Sequence, residues 1–256
     1  MNVFDLFDLT GRVALITGGG RGLGRQMAEA FADAGCDIVV CSRKLEQCEE
    51  TAKALRQKGI KAKAYACDVT KKEDVDKVVD QVIAEFGKID ILVNNSGASW
   101  GMDVEEMPLE AWQKVMDVNV TGIFLMSQKV GKFMIKQKYG KIINIGSIAG
   151  IKASAPEVLN AIGYSTSKAA ANHFTRELAM KWARHGIYVN AIAPGFFPTK
   201  MTKGVLEKAE EKIVSQIPLR RIGDENGLKG AALFLASQAS DFVTGQVLAV
   251  DGGSSL

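Results

Sequence analysis

Val13-Ala14-Leu15-Ile16-Thr17-Gly18-Gly19-Gly20-Arg21-Gly22-Leu23-Gly24 is the stretch on which the reading of this chain turns. Val13–Thr17 is an uninterrupted apolar run, the mark of a strand covered on both faces. Apolar residues at helical spacing follow over Leu23–Ala34. The glycines between let the backbone turn sharply and approach another group closely. A helix that starts there offers free N–H groups and a positive dipole end to an anion such as a pyrophosphate. The spacing is Gly18-x-x-x-Gly22-x-Gly24 rather than G-x-G-x-x-G. What identifies nucleotide binding is the context, with a strand before and a helix after the first βα turn.

The same alternation continues outward. Short apolar runs at Asp37–Cys41, Ala62–Ala66, Ile89–Val93, Lys141–Ile145, Tyr188–Ile192 and Gln246–Val250 predict further strands. Helical periodicity covers Leu45–Lys58, Lys72–Phe86, Leu109–Gln137, Gly163–Arg184 and Glu225–Ala236. Such alternation implies right-handed crossovers and an α/β fold: a doubly wound, Rossmann-type parallel sheet of about seven strands with helices on both faces. Ligands are then expected at the carboxyl ends of the strands. No linker, charge block or repeat divides residues 1–256, so one domain is expected. Ile151–Ala161, containing Pro156, and Phe196–Gly204, before a short charged helix, break the pattern. Covers over a site are expected near residues 149–161 and 196–215.

Bulk properties narrow the class. The chain has 256 residues, 47% hydrophobic and 24% charged, with a net charge of +3. That composition argues against disorder, and no basic stripe suggests a nucleic-acid partner. Cys36, Cys41, Cys48 and Cys67 form no C-x-x-C pair and read as buried thiols, which suits a reducing, cytoplasmic compartment. Neither a secretory leader nor a membrane span is expected. No His/Cys/Asp/Glu cluster has metal-ligand spacing, so no catalytic metal is expected.

The end of the second strand normally selects the nucleotide, because an acid there binds the ribose 2′-hydroxyl of NAD. This chain has Cys41-Ser42-Arg43-Lys44 instead. Arg43 and Arg21 are placed to meet a 2′-phosphate, so NADP(H) is preferred, with NAD(H) possible. Asp68, after the third strand, is read either as an acceptor for the adenine amino group or as a cap for the next helix.

Tyr164 and Lys168 stand four residues apart on one helix face. A tyrosine pKa of about 10 is too high for ready proton transfer at neutral pH. A nearby ammonium is expected to pull it down and make an acid for a carbonyl oxygen. Ser147 follows the fifth strand and has no histidine to activate it, since the chain holds only His173 and His185. A Ser-His-Asp hydrolase is therefore poorly supported. Two hydroxyls aimed at developing negative charge fit better. His173, nine positions and ~13 Å beyond Tyr164, reads as a packing residue. Ala170, Phe174, Leu178 and Trp182 form a stripe on the same helix, read as core or as a subunit contact.

These segments, together with Asn94-Asn95-Ser96-Gly97, Asn119 and Pro194-Gly195, resemble the short-chain dehydrogenase/reductase family over essentially the whole chain. Ser96 stands where the family more often has Ala. Seventeen positions separate Ser147 from Tyr164, against about thirteen usual in the family, so an insertion around Pro156–Asn160 is expected beside the substrate. The resemblance implies a catalytic set of Asn119, Ser147, Tyr164 and Lys168. Tyr164 would protonate the oxygen, Lys168 would tune it and bind the nicotinamide ribose, Ser147 would hold the substrate oxygen, and Asn119 would help hold a relay water. Gly18, Arg21, Gly22, Leu23, Gly24, Ser42, Arg43, Asp68, Val69, Asn95, Gly97, Tyr164, Lys168, Pro194, Gly195, Phe197 and Thr199 would contact the cofactor, with Asn94 lining the cleft. Homotetramers or homodimers are implied as well.

The expected activity is reversible reduction of a ketone to a secondary alcohol. Phe196, Phe197, Trp100 and Met102 suggest an apolar wall and a fairly hydrophobic ketone. A sugar-acid 5-keto reductase similar to gluconate 5-dehydrogenase and a 3-oxoacyl-carrier-protein reductase are the alternatives. The second would need a basic docking patch, for which Lys129, Lys132 and Arg176 are candidates. A nucleotide-binding sensor without turnover is the alternative of another class.

Overall fold

The computed structural model describes residues 2–256. Its elements run β1 (Val13–Thr17), α1 (Gly22–Asp33), β2 (Asp37–Ser42), α2 (Leu45–Arg56), β3 (Ala62–Ala66), α3 (Lys72–Phe86), β4 (Ile91–Asn94), α4 (Leu109–Met116), α5 (Gly122–Gln137), β5 (Gly140–Ile145), α6 (Ile162–Trp182), β6 (Ile187–Pro194), α7 (Lys203–Gln216), α8 (Lys229–Ala236) and β7 (Val247–Val250). The seven strands form one sheet in the order β3-β2-β1-β4-β5-β6-β7. Every pairing is parallel. Strand order reverses between β1 and β4, which pair through Ala14 and Ile91. A crevice opens at such a reversal, outside the carboxyl ends of the strands.

Alternate residues of one strand feed two cores, because side chains point to opposite faces. Ala14 and Ile16 join Met27, Phe31, Ile38, Val40 and Leu55 under α1, α2 and α8. Val13 and Leu15 join Val75, Val79, Met126, Val130 and Ile142 under α3, α5 and α6. Each such buried side chain contributes roughly 1.5–3 kcal/mol over an exposed one. The edge strand β3 alternates instead, with Ala62 buried and Lys63 exposed.

The expected elements all occur, with differences at their ends. The fourth strand starts at Ile91 rather than Ile89. Asp90 is spent on an anchor there, accepting from Arg12 Nη1 at 3.0 Å and from the Val13 N–H at 2.9 Å. The long helix expected over Leu109–Gln137 is interrupted by a π turn at Asp117–Thr121 that contains Asn119. Single π turns inside α-helices recur at functional sites. The last helix begins at Lys229 rather than Glu225, after a turn closed by Gly227 N–H to Asp224 O at 3.3 Å. Among the described residues no helix is long and apolar enough to cross a membrane.

Candidate active site

The glycine turn after β1 has the backbone its sequence demands. Gly18 and Gly22 take φ of +63° and +54°, left-handed values that cost other residues about 1–2 kcal/mol. A Cβ at Gly24 would lie 2.4 Å from Asn95 Nδ2 and 2.5 Å from Gly18 O, so only glycine lets α1 start this close to the loop. A Cβ at Gly22 meets nothing nearer than Thr199 at 3.8 Å, because that face opens into the cleft. No side chain caps the N-terminus of α1, which leaves its first N–H groups free for a phosphate.

The turn is tied to the neighbouring loop across the strand reversal. Asn95 Nδ2 donates to Thr17 O at 3.0 Å and to Gly18 O at 3.1 Å. Thr17 Oγ1 accepts from the N–H groups of Asn95 and Ser96, both at 3.0 Å. Thr17 reads in the sequence as part of the glycine motif, but this bonding role does not, because it depends on a loop distant in the chain. Asn94 lies deeper, donating to Ser127 Oγ at 3.1 Å and Asn144 Oδ1 at 2.8 Å.

One cleft of about 2350 Å³ runs from this turn across the carboxyl ends of the strands to the loops before α6 and α7. All the expected cofactor residues line it except Gly24, and Asn94, expected along the cleft, is instead buried behind it by its bonds to Ser127 and Asn144. Ser147 and both Tyr164 and Lys168 line it as well. Asn119 does not; it stands behind the wall, fully buried. Its amide accepts from Ala98 N–H at 2.8 Å and donates to Ala98 O at 2.9 Å and Ser167 Oγ at 2.8 Å. The π turn therefore joins the loop after β4 to α6.

Arg21, just before α1, and Arg43 and Lys44, just after β2, edge the cleft. Among the described residues none of the three makes an ion pair. Ser42 Oγ accepts from Lys44 N–H at 3.2 Å and lies 3.2 Å from Cys48 Sγ, which holds the strand end in place. Asp68 is no helix cap, since Lys71 occupies that position on α3. Its Oδ1 instead accepts from Thr70 N–H at 3.1 Å and Thr70 Oγ1 at 2.8 Å, and the residue lines the cleft. This set of cations, free N–H groups and a glycine cradle fits the phosphates of a dinucleotide.

At the other end Ser147 caps a short 3-10 turn, accepting from Ala149 N–H at 3.1 Å. Lys168 is buried, and its Nζ donates to Ile145 O at 2.6 Å. Burial holds its pKa down at about 8. The expected effect of Lys168 on Tyr164 is not what this structure shows. Burial raises the phenol above its ordinary value, and the Ser147 hydroxyl is what opposes the rise. The physical reason is geometric: the ammonium is aimed at Ile145 O and stands 5.6 Å from the centre of the Tyr164 ring.

Three further expectations change, and one open reading closes. Phe197 and Met102 line the cleft, but Phe196 and Trp100 do not. Phe196 packs with Leu206, Ile213 and Ile217, and Trp100 carries the Lys114 ammonium 5.8 Å from its ring centre. His173 is no packing residue, because its side chain is 71% exposed. Of the two readings of the α6 stripe the core one holds: Leu178 is buried, Phe174 and Trp182 pack on the core, and the Trp182 ring covers Gly131 of α5. Lys129 is engaged by Asp80 at 2.8 Å and by Asp76 at 3.6 Å, which removes one charge from the expected docking patch. Among the described residues no group of three or more His, Cys, Asp or Glu is placed to hold a metal ion.

Comparison with known proteins agrees with this geometry. Residues 18–255 match the family model described as Enoyl-(Acyl carrier protein) reductase. The chain is 40% identical to the 5-keto-D-gluconate 5-reductase of Escherichia coli (strain K12) over 254 residues, 97% of this chain and 97% of that protein. It is 37% identical to the 3-oxoacyl-(acyl-carrier-protein) reductase of Aquifex aeolicus over 246 residues, 96% of this chain and 98% of that one. A solved gluconate 5-dehydrogenase from Burkholderia cenocepacia J2315, in complex with NADP and tartrate, superposes with a TM-score of 0.94 at 38% identity, covering 99% of this chain and 98% of that one. A turn built for a dinucleotide, a Tyr-x-x-x-Lys pair beside a serine at the strand ends, and these full-length matches place the chain in the short-chain dehydrogenase/reductase family of oxidoreductases.

Proposed function

We propose that this chain is an NADP(H)-dependent ketoreductase that interconverts a ketone and its secondary alcohol. One observation carries the reading: Ser147, Tyr164 and Lys168 line the same cleft as the cation-edged glycine turn. The nicotinamide, when bound, supplies or accepts the hydride. Gly18, Gly22, Leu23 and the α1 N–H groups would hold its pyrophosphate, Arg21, Ser42 and Arg43 its 2′-phosphate, and Asp68, Val69, Asn95 and Gly97 the adenosine side. Pro194, Gly195, Phe197 and Thr199 would hold its far end. That the solved Burkholderia relative was crystallised with NADP supports the choice of cofactor.

Within the chain, Tyr164 Oη gives its proton to the carbonyl oxygen during reduction. Ser147 Oγ donates to the same oxygen as negative charge develops there. Lys168 stays protonated below about pH 8 and favours the phenolate left behind. Asn119 fixes Ala98 and Ser167, and through them the distance between the cofactor loop and α6. The chain works as one unit, with residues 149–161 and 196–215 covering the substrate. Four free buried cysteines suit a cytoplasmic enzyme. Exposed Phe124 on α5 and Met180 on α6 support assembly into a homotetramer or homodimer with small-molecule substrates.

The test is oxidation of NADPH and NADH by the purified protein with a panel of ketones, β-ketoesters, 5-ketogluconate and a 3-oxoacyl thioester. NADPH-dependent turnover that Tyr164→Phe lowers by roughly 10²–10⁴, with NADPH affinity retained, is the expected result. A Tyr164→Phe protein with near-normal turnover sinks the assignment. NADPH binding without turnover on any ketone would favour a sensor.

A further inference from the structure

We propose that the cleft sorts carbonyl substrates by charge, accepting neutral and cationic ketones and disfavouring carboxylates. The inference rests on the ketoreductase reading and names the substrate class of that same site. Its basis is that the cleft is polarised from end to end. The nucleotide end is lined by Arg21, Arg43 and Lys44 against Asp68. Among the described residues, the substrate end is lined by Asp103, Glu157, Glu207 and Glu210 against Lys200 and Lys203. Lys203 is already 3.7 Å from Glu207. Lys168 is committed to Ile145 O, deep in the wall. Among the described residues a carboxylate entering here meets four acids against three cations, and the buried one of the three, Lys168, already donates to Ile145 O.

Asp103 is held in position. Asn160 Nδ2 donates to its Oδ1 at 2.6 Å, and Met102 N–H donates to Asn160 O at 3.0 Å. These two bonds join the loop after β4 to the longer segment before α6, across the mouth of the cleft. The segment before α6 thus supplies both Asn160 of the clasp and one of the acids, Glu157. The lining also carries apolar side chains: Met102, Leu159, Met201, Val205 and Ile222. A hydrophobic body with a neutral or positively charged end matches this surface. Low-dielectric walls focus such fields, so exposed acids at a concave mouth act more strongly on a ligand than on a convex surface.

The experiment uses the full-length wild-type protein with NADPH and three ketones of matched shape: a substituted cyclohexanone, its 4-amino analogue and its 4-carboxylate analogue. At low salt kcat/KM is expected to favour the amine over the carboxylate by about tenfold, and the ratio to shrink as salt screens the field. Asp103→Asn combined with Glu157→Gln is expected to move that ratio at least threefold towards the carboxylate. The neutral ketone reports on the underlying chemistry: its reduction with a carboxylate preferred overturns the charge inference alone. Where no ketone is turned over, calorimetry on the NADP-bound protein decides with cyclohexylammonium and cyclohexanecarboxylate as probes. Tighter binding of the ammonium supports the inference, and equal or tighter binding of the carboxylate overturns it. A ratio indifferent to salt and to the double substitution also overturns it.

Discussion

Lys168→Met offers the sharpest quantitative prediction, because the structure fixes both its sign and its pH dependence. Lys168 is buried, and its pKa falls from 10.5 to about 8 for that reason alone. A lysine depressed on folding binds its proton more tightly in the unfolded chain. The native state is therefore penalised at neutral pH and regains stability as pH rises from about 8 towards 10.5. With 1.36 kcal/mol per pKa unit, the penalty is about 3 kcal/mol at pH 7 and about 1.4 kcal/mol at pH 9.5. Methionine keeps the aliphatic length and carries no charge, so the penalty disappears in the variant. It also leaves Ile145 O without its donor, a pH-independent cost of about 1–3 kcal/mol. The variant is expected to be equal to or more stable than wild type at pH 7, by up to about 2 kcal/mol. The advantage should shrink by about 2 kcal/mol between pH 7 and pH 9.5. Urea unfolding of both proteins at one fixed concentration, at several pH values, measures the difference. A stability difference that stays flat with pH would refute the argument, whatever its size at neutral pH. The same variant is expected to lose turnover, so stability and activity should move in opposite directions.

Three other substitutions test two separate parts of the structure. Arg21→Ala and Arg43→Ala should each weaken NADPH binding by about tenfold to a hundredfold, the worth of a charge-assisted contact, with little change for NADH; equal losses for both cofactors would remove these residues from the 2′-phosphate site. Gly131→Ala would place a Cβ 2.2 Å from the Trp182 ring, so overpacking should cost about 1–3 kcal/mol in thermal or urea unfolding; an unchanged midpoint would mean that α5 and α6 separate more easily than their contact implies.

Much of the fold was legible because parallel sheets write themselves plainly. Strands buried on both faces appear as short unbroken apolar runs, and the helices between them keep one apolar stripe. The glycine turn was legible for a related reason: steric need at Gly18, Gly22 and Gly24 is local in sequence. The Tyr164–Lys168 pair was readable too, since i and i+4 share a helix face wherever the helix lies. What escaped was everything decided by two segments distant in the chain. The Asn160–Asp103 clasp spans separate loops. Asn119 looked like a residue of a regular helix, and nothing local announced the π turn around it. Phe196 and Phe197 are neighbours in an apolar pair, yet one packs under α7 while the other lines the cleft, a division set by tertiary packing alone. The inward turn of the α6 stripe was undecidable for the same reason, because its cover, Gly131, lies on another helix.

The titrating groups show how a single environment serves both partners of the pair. Burial acts on Tyr164 and Lys168 in opposite directions, since it disfavours a negative phenolate and a positive ammonium alike. The phenol rises and the ammonium falls to about 8. At pH 7 both therefore keep their protons, which is the state that reduction needs: an acid aimed at the substrate and a cation beside it. Ser147 tempers the rise of the phenol without adding charge. Had the lysine paired with a carboxylate, its pKa would have stayed high. Ile145 O, a neutral acceptor at 2.6 Å, anchors the ammonium and leaves its charge uncompensated. The energetic penalty on the folded chain thus has its origin in a buried cation with no anion beside it.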